Sequence, residues 1–172
     1  LEHVIRDIHH SDILRTRTAS EQIDHVQPNC EVALPESSWG KDGNDSVWMN
    51  PETSWTWEAE YALERRVTLL FEKHPKHTWD EAMYRIARNI LGELMLVQAS
   101  DWQFLITNWT ARDYAEMRFH NHLNDTQRCC EMFERYAIAR ELLTDDISFL
   151  DDLERRDGIF HEELNLYFAS HD

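Results

Sequence analysis

Apolar side chains recur at helical spacing along most of this chain. The clearest run is Trp79, Met83, Ile86, Ile90, Leu94 and Val97, at intervals of four, three, four, four and three, which puts all of them on one helix face. Thr78 followed three residues later by Glu81 is a capping-box pattern at its start. Thr110 is placed to cap a longer helix in which Phe119, Leu123, Thr126, Cys130, Phe133 and Ala137 repeat at fours and threes. Upstream, Asn50-Pro51-Glu52-Thr53 is a helix start, with Thr53 or Ser54 as cap. That helix is predicted to run to about Lys73 and to bury Trp57, Tyr61, Val67, Leu70 and Phe71 before Pro75 stops it. Residues 1–14 predict the tail of an amphipathic helix with Val4, Ile5 and Ile8 on its apolar side. Residues 19–26 predict a short helix with Ile23 and Val26 inward, and 145–157 an acidic helix carrying Ile147, Phe149, Leu150 and Leu153. A turn at Ser100-Asp101 precedes a short apolar piece, Trp102 to Ile106, while Ile159 to Phe168 is too short to assign. Alternation at period two is almost absent, so the class is all-α, a helical bundle.

One stretch breaks the pattern. Pro28, Pro35, Gly40, Gly43 and Pro51 interrupt residues 27–53, and no regular element survives that density of breakers. A long irregular loop in a compact domain is commonly functional. This one carries Trp39 and Trp48, and with Trp55 and Trp57 it holds four of the seven tryptophans within 19 residues. Trp55 and Trp57 sit where they can plug the helix onto the bundle. Trp39 and Trp48, beside Gly and polar residues, are the pair expected to face a ligand.

Charge narrows the ligand. The chain has 172 residues, the size of a single domain over 1–172, with 17 basic and 33 acidic residues, a net charge of −16. Such a surface repels phosphate backbones and anionic lipid, which argues against nucleic acid and membrane partners. No run approaches the roughly 18 apolar residues of a membrane span. A neutral glycan, whose sugar rings present flat C–H faces to indole, suits both the acidity and the tryptophans. Cys30, Cys129 and Cys130 are an odd number with two adjacent; that is neither a disulfide framework nor a CxxC pair, and a cytoplasmic location is expected. The N-terminus, Leu1-Glu2-His3, has no signal-peptide character and reads as the inside of a longer chain.

Several residues in these segments match a known family. The run from Leu34 to Trp57 (LPESSWGKDGNDSVWMNPETSWTW), the turn Gln98-Ala99-Ser100-Asp101-Trp102, and Tyr114-Ala115 with Arg118-Phe119 and His122 resemble, in the same order, segments of glycoside hydrolase family 57. The particular likeness is to the helical C-terminal domain of its 1,4-α-glucan branching enzymes. The chain departs from the family pattern where Lys41 and Asp42 separate Gly40 from Gly43, and where Ser46 replaces a common His. The resemblance implies a retaining enzyme whose Glu nucleophile and Asp acid/base lie about 5–5.5 Å apart in an N-terminal catalytic barrel. No barrel strands occur here, so no catalytic residue is assigned and no turnover is expected of this chain alone. It also implies that Trp39 and Trp48 bind α-glucan or malto-oligosaccharide as a wall of the cleft, stacking the chain and excluding water.

Glu36, Asp101, Trp102 and Arg118 are candidate supporting residues. Asp101 suits a cap on the following helix, and Arg118 with His122, four apart on one face, suits a pairing with Asp101 or Glu36. Ten histidines make metal worth testing, but neither HExxH nor ExxH occurs, the loop 42–46 lacks an EF-hand register, and no metal or cofactor is expected. Cys129 and Cys130 suit packed thiols rather than a nucleophile. Two alternatives stay open: a family 57 α-amylase or 4-α-glucanotransferase domain, or a non-catalytic helical protein-interaction module.

Overall fold

The computed structural model describes residues 1–170. It contains helices and no strand among those residues, so the all-α class holds. The chain forms two compact units, Leu1–Glu36 and Ser37–Asp172.

The first unit has two short helices, α1 (Glu2–His9) and α2 (Ala19–His25). Helix α1 is shorter than the 14 residues expected, because Ser11 turns the chain: its hydroxyl accepts the backbone N–H groups of Ile13 and Leu14. Thr18 and Glu21 form a capping box on α2. Val4, Ile5, Ile23 and Val26 are exposed, so the inward placement of Ile23 and Val26 is not realised.

The second unit holds the core. After two 3₁₀ turns, at Lys41–Gly43 and Asp45–Val47, come α3 (Ser54–Lys73), α4 (Glu81–Val97), α5 (Asp101–Asn108), α6 (Arg112–Ala139), α7 (Thr144–Asp157) and α8 (His161–Ser170). Helix α4 is central. It packs most extensively on α6, and it also meets α3, α7 and α8. Its predicted stripe is the one buried: Met83, Ile86, Ile90, Leu94 and Val97 join Leu63, Val67 and Leu70 of α3, Phe119 and Phe133 of α6, and Leu150 and Leu153 of α7. Each such side chain contributes about 1.5–3 kcal/mol by leaving water. Trp79 anchors one end, with its indole edge-on to Phe71, Phe133, Tyr84 and Phe168 and its N–H on the His74 carbonyl. The segment around Phe168, too short to assign from sequence, forms α8 because Leu164 and Phe168, one turn apart, are both buried, Phe168 within this core.

Several helix ends and facings differ from expectation. Asp80, not Thr78, caps α4, accepting the Met83 N–H at 3.0 Å, while Thr78 closes a 3₁₀ turn on the Pro75 carbonyl. Helix α6 begins after Ala111 without a side-chain cap, so Thr110 lies outside it. Tyr61 and Ile147 point to solvent, each displaced to the edge of its helix's buried stripe. No described helix is long and apolar enough to cross a membrane.

Candidate functional site

The loop 37–53 is irregular, yet many of its polar groups are paired. The Ser38 N–H donates to the Gly43 carbonyl, and the Ser38 hydroxyl donates to the Asn44 carbonyl while accepting the Gly40 N–H. Asp42 and Gly43 both take the left-handed backbone that reverses the chain. At Gly40 a side chain is excluded: a Cβ there would lie 2.7 Å from the Asn44 carbonyl oxygen and 2.8 Å from the Trp48 ring. Lys41 and Asp42 therefore fill the tip of a closed turn, and Gly40 is the seat on which Trp48 rests.

The far end of the loop is clamped to helices. The Thr53 hydroxyl and the Trp57 indole N–H both donate to the Trp48 carbonyl, at 2.7 and 2.9 Å. The Asn50 amide donates to Thr107 of α5, whose hydroxyl donates to the Val47 carbonyl. Trp57 is thus half-buried and structural. Trp55, set edge-on to Phe119 and stacked with His120, plugs α3 onto α6 as expected.

This scaffold places an aromatic face outward. Trp39 is 82% exposed, but its ring lies 5.4 Å from that of Phe104 on α5, tilted by 31°. Trp48, half-buried, lies 6.2 Å from the same ring. Phe104 therefore backs both tryptophans. Its only signal in the sequence was membership of the short apolar run 102–106.

Beneath α3 and α5 lies a buried polar strip. Thr53, Thr56, Glu60 and Gln103 are all buried. The Gln103 amide donates to the Thr56 hydroxyl, which donates to the Thr53 carbonyl. One oxygen of Glu60 and the Gln103 carbonyl oxygen lack partners. Burial pushes the Glu60 carboxyl up to about 7, with Glu64 adding to the rise.

The predicted supporting residues take other roles. Asp101 is exposed in the first turn of α5, where Ser100 holds the cap position and no side chain caps; its charge still suits the helix dipole. Trp102 is half-buried, donating its indole N–H to the Leu96 carbonyl and stacking on His122. Arg118 pairs with Asp157 at 3.4 Å and His122 with Glu93 at 2.6 Å, so the expected pairing with Asp101 or Glu36 does not form. Glu36 is exposed at the end of the first unit.

The buried Glu93–His122 pair joins α4 to α6. Burial raises the Glu93 carboxyl's pKa against the pull of its bond to His122. The sequence did carry a signal for it: Glu93 sits within the apolar stripe of α4, three after Ile90. Together with Asp157 these residues place potential metal ligands within 4.8 Å. Asp157, however, is already matched by the guanidinium groups of Arg118 and Arg156, against which a cation would have to compete. Cys129 and Cys130 are buried, and burial pushes both thiols up, Cys130 to about 11; neither is poised as a nucleophile.

Residues 60–167 match the family model described as the C-terminal part of 1,4-alpha-glucan branching enzymes. The chain belongs to that family. It is 38% identical over 130 residues to the 1,4-alpha-glucan branching enzyme of Thermococcus kodakarensis, covering 76% of this chain and 18% of that protein. It is 28% identical over 166 residues to a probable 1,4-alpha-glucan branching enzyme of Mycobacterium tuberculosis, covering 93% of this chain and 30% of the other. The crystal structure of the Thermococcus family 57 branching enzyme, in complex with glucose and additives, superposes with a TM-score of 0.75 at 34% identity over 87% of this chain and 26% of that one. The family 57-type branching enzyme of Pyrococcus horikoshii gives 0.74 at 35%, over 87% and 27%. The chain thus spans at most 30% of the length of these relatives. The branching-enzyme model begins within α3, so the tryptophan loop lies before the matched range. The mycobacterial alignment, at 93% of the chain, takes it in.

Proposed function

We propose that residues 1–172 are the C-terminal part of a family 57 1,4-α-glucan branching enzyme and form one wall of its glucan cleft. Trp39 and Trp48 stack the sugar chain. The catalytic Glu and Asp of the retaining reaction belong to an N-terminal barrel against which this domain docks, so the chain alone turns over nothing. The supporting observation is a single one: an indole 82% exposed is nonetheless set against a second ring, on a loop whose backbone is closed by its own hydrogen bonds. An aromatic held rigid and outward loses little freedom on binding, which favours affinity.

A tryptophan-fluorescence titration with a long malto-oligosaccharide tests this, using the chain alone and with the catalytic barrel added in trans. A saturable shift that is lost in Trp39→Ala or Trp48→Ala is expected. No shift in either setting up to about 10 mM, where binding is worth under roughly 3 kcal/mol, overturns the reading and leaves the helical protein-interaction module in its place.

A further inference from the structure

We infer that Trp109 is a further sugar-stacking station on the same glucan face, held in place by Arg112; this rests on the cleft-wall reading above. Trp109 terminates α5 in the left-handed region, at φ 57 and ψ 13. A bulky residue is disfavoured there, and glycine is the residue that ends helices in that conformation without steric cost. Burial does not offset the strain, because Trp109 is 68% exposed. A large exposed ring kept where glycine would be easier points to use of the ring itself.

The surroundings fix that ring. The guanidinium of Arg112 lies 4.5 Å from its centroid. Arg112 is in turn held by Glu116 at 2.8 Å and by Glu52 at 2.5 Å. Glu52 comes from the turn that carries the tryptophan loop into α3, so the loop that presents Trp39 and Trp48 also steadies Trp109. Phe104, the ring backing both loop tryptophans, belongs to the helix that Trp109 ends; five residues turn about 140° around that axis, so it is the Glu52–Arg112 link, not a shared helix face, that ties Trp109 to the loop. Thr110, Asp113 and Tyr114 line a shallow groove beside Trp109, offering partners for sugar hydroxyls. A neutral chain of sugar rings can use separated apolar faces in series; a nucleic acid, whose bases also stack, is repelled by the net charge of −16.

Trp109→Gly is the clean variant, because it removes the indole and relieves the backbone together. Calorimetric titrations with maltotriose and with maltoheptaose, on the chain alone and with the barrel added, separate the stations. Trp109→Gly is expected to weaken maltoheptaose about fivefold and to leave maltotriose unchanged, with Trp109→Phe recovering most of the loss. Trp39→Ala weakens both sugars. If Trp109→Gly binds both as the parent does while Trp39→Ala does not, this inference is overturned and the cleft-wall reading stands. If that variant instead weakens capture of the barrel, the ring belongs to the domain interface. If the parent binds neither sugar in either setting, the cleft-wall reading fails and this inference falls with it.

Discussion

Glu60 shows how one buried side chain ties stability to pH. Its carboxyl is 5% exposed and faces Gln103, with one oxygen unpartnered, and burial moves its pKa from the usual 4.5 up to about 7. Below 4.5 the group is neutral in both the folded and unfolded chain, and its full contribution to stability is present. As pH rises towards 7 the unfolded chain releases the proton first, so stability falls, and above 7 the loss is complete at about 3 kcal/mol. Glu60→Gln removes the titration while keeping the shape. Urea midpoints measured from pH 5 to 8 are expected to fall for the parent and to stay flatter for the variant, which becomes the more stable by about 2–3 kcal/mol at pH 8. Parallel profiles would show that Glu60 is not neutral in the folded chain. Glu60 lies on α3 and shares its buried strip with Gln103 of α5, next to Phe104 in sequence.

Among the elements, α4 separates what periodicity can read from what it cannot. Its apolar stripe was legible, since a spacing of threes and fours leaves one face to bury; the same rule located α6, while α3 was located by its start signal and Pro75. Its cap was not. Thr78 with Glu81 satisfies the capping-box pattern, but Pro75 starts a 3₁₀ turn that absorbs the Thr78 hydroxyl. Asp80 then caps, accepts from the Tyr136 hydroxyl at 3.1 Å and pairs with Arg140 at 3.0 Å. Those partners lie 56 and 60 residues away, beyond any local pattern. Asp80→Ala should therefore cost about 1–2 kcal/mol, Asp80→Asn much less, and Thr78→Ala under about 0.5 kcal/mol, by chemical unfolding. A larger cost at Thr78 than at Asp80 would restore the capping-box assignment. The site follows the same division. The exposure of Trp39 was legible because a tryptophan in a breaker-rich loop has few ways to be buried; the half-burial of Trp48 against Phe104 was not. Phe104 was not singled out, and Arg118 and His122 pair with Asp157 and Glu93 instead of Asp101 or Glu36, because such partners are set by how α4, α5, α6 and α7 pack, not by spacing along one helix.

For the whole molecule, the proposed reading makes this domain decide the fate of a covalent glycosyl-enzyme formed elsewhere. Transfer and hydrolysis share that intermediate and differ only in the attacking oxygen, a sugar 6-hydroxyl or water. Attack by the sugar converts an α-1,4 bond into an α-1,6 bond and leaves the number of reducing ends unchanged. Attack by water frees a new reducing end. A wall that stacks the acceptor favours the first route, and by excluding water it suppresses the second. In the full-length enzyme, Trp39→Ala and Trp48→Ala are thus expected to raise reducing ends released per α-1,6 linkage formed by about tenfold, a shift of roughly 1.4 kcal/mol between two barriers. Both products can be counted in one digest of a long α-1,4-glucan, by reducing-sugar assay and after debranching. An unchanged ratio with a raised KM for the donor would mean that the tryptophans bind both states equally. The wall would then be a docking surface for the glucan, and the exclusion of water would have to come from the barrel's own loops.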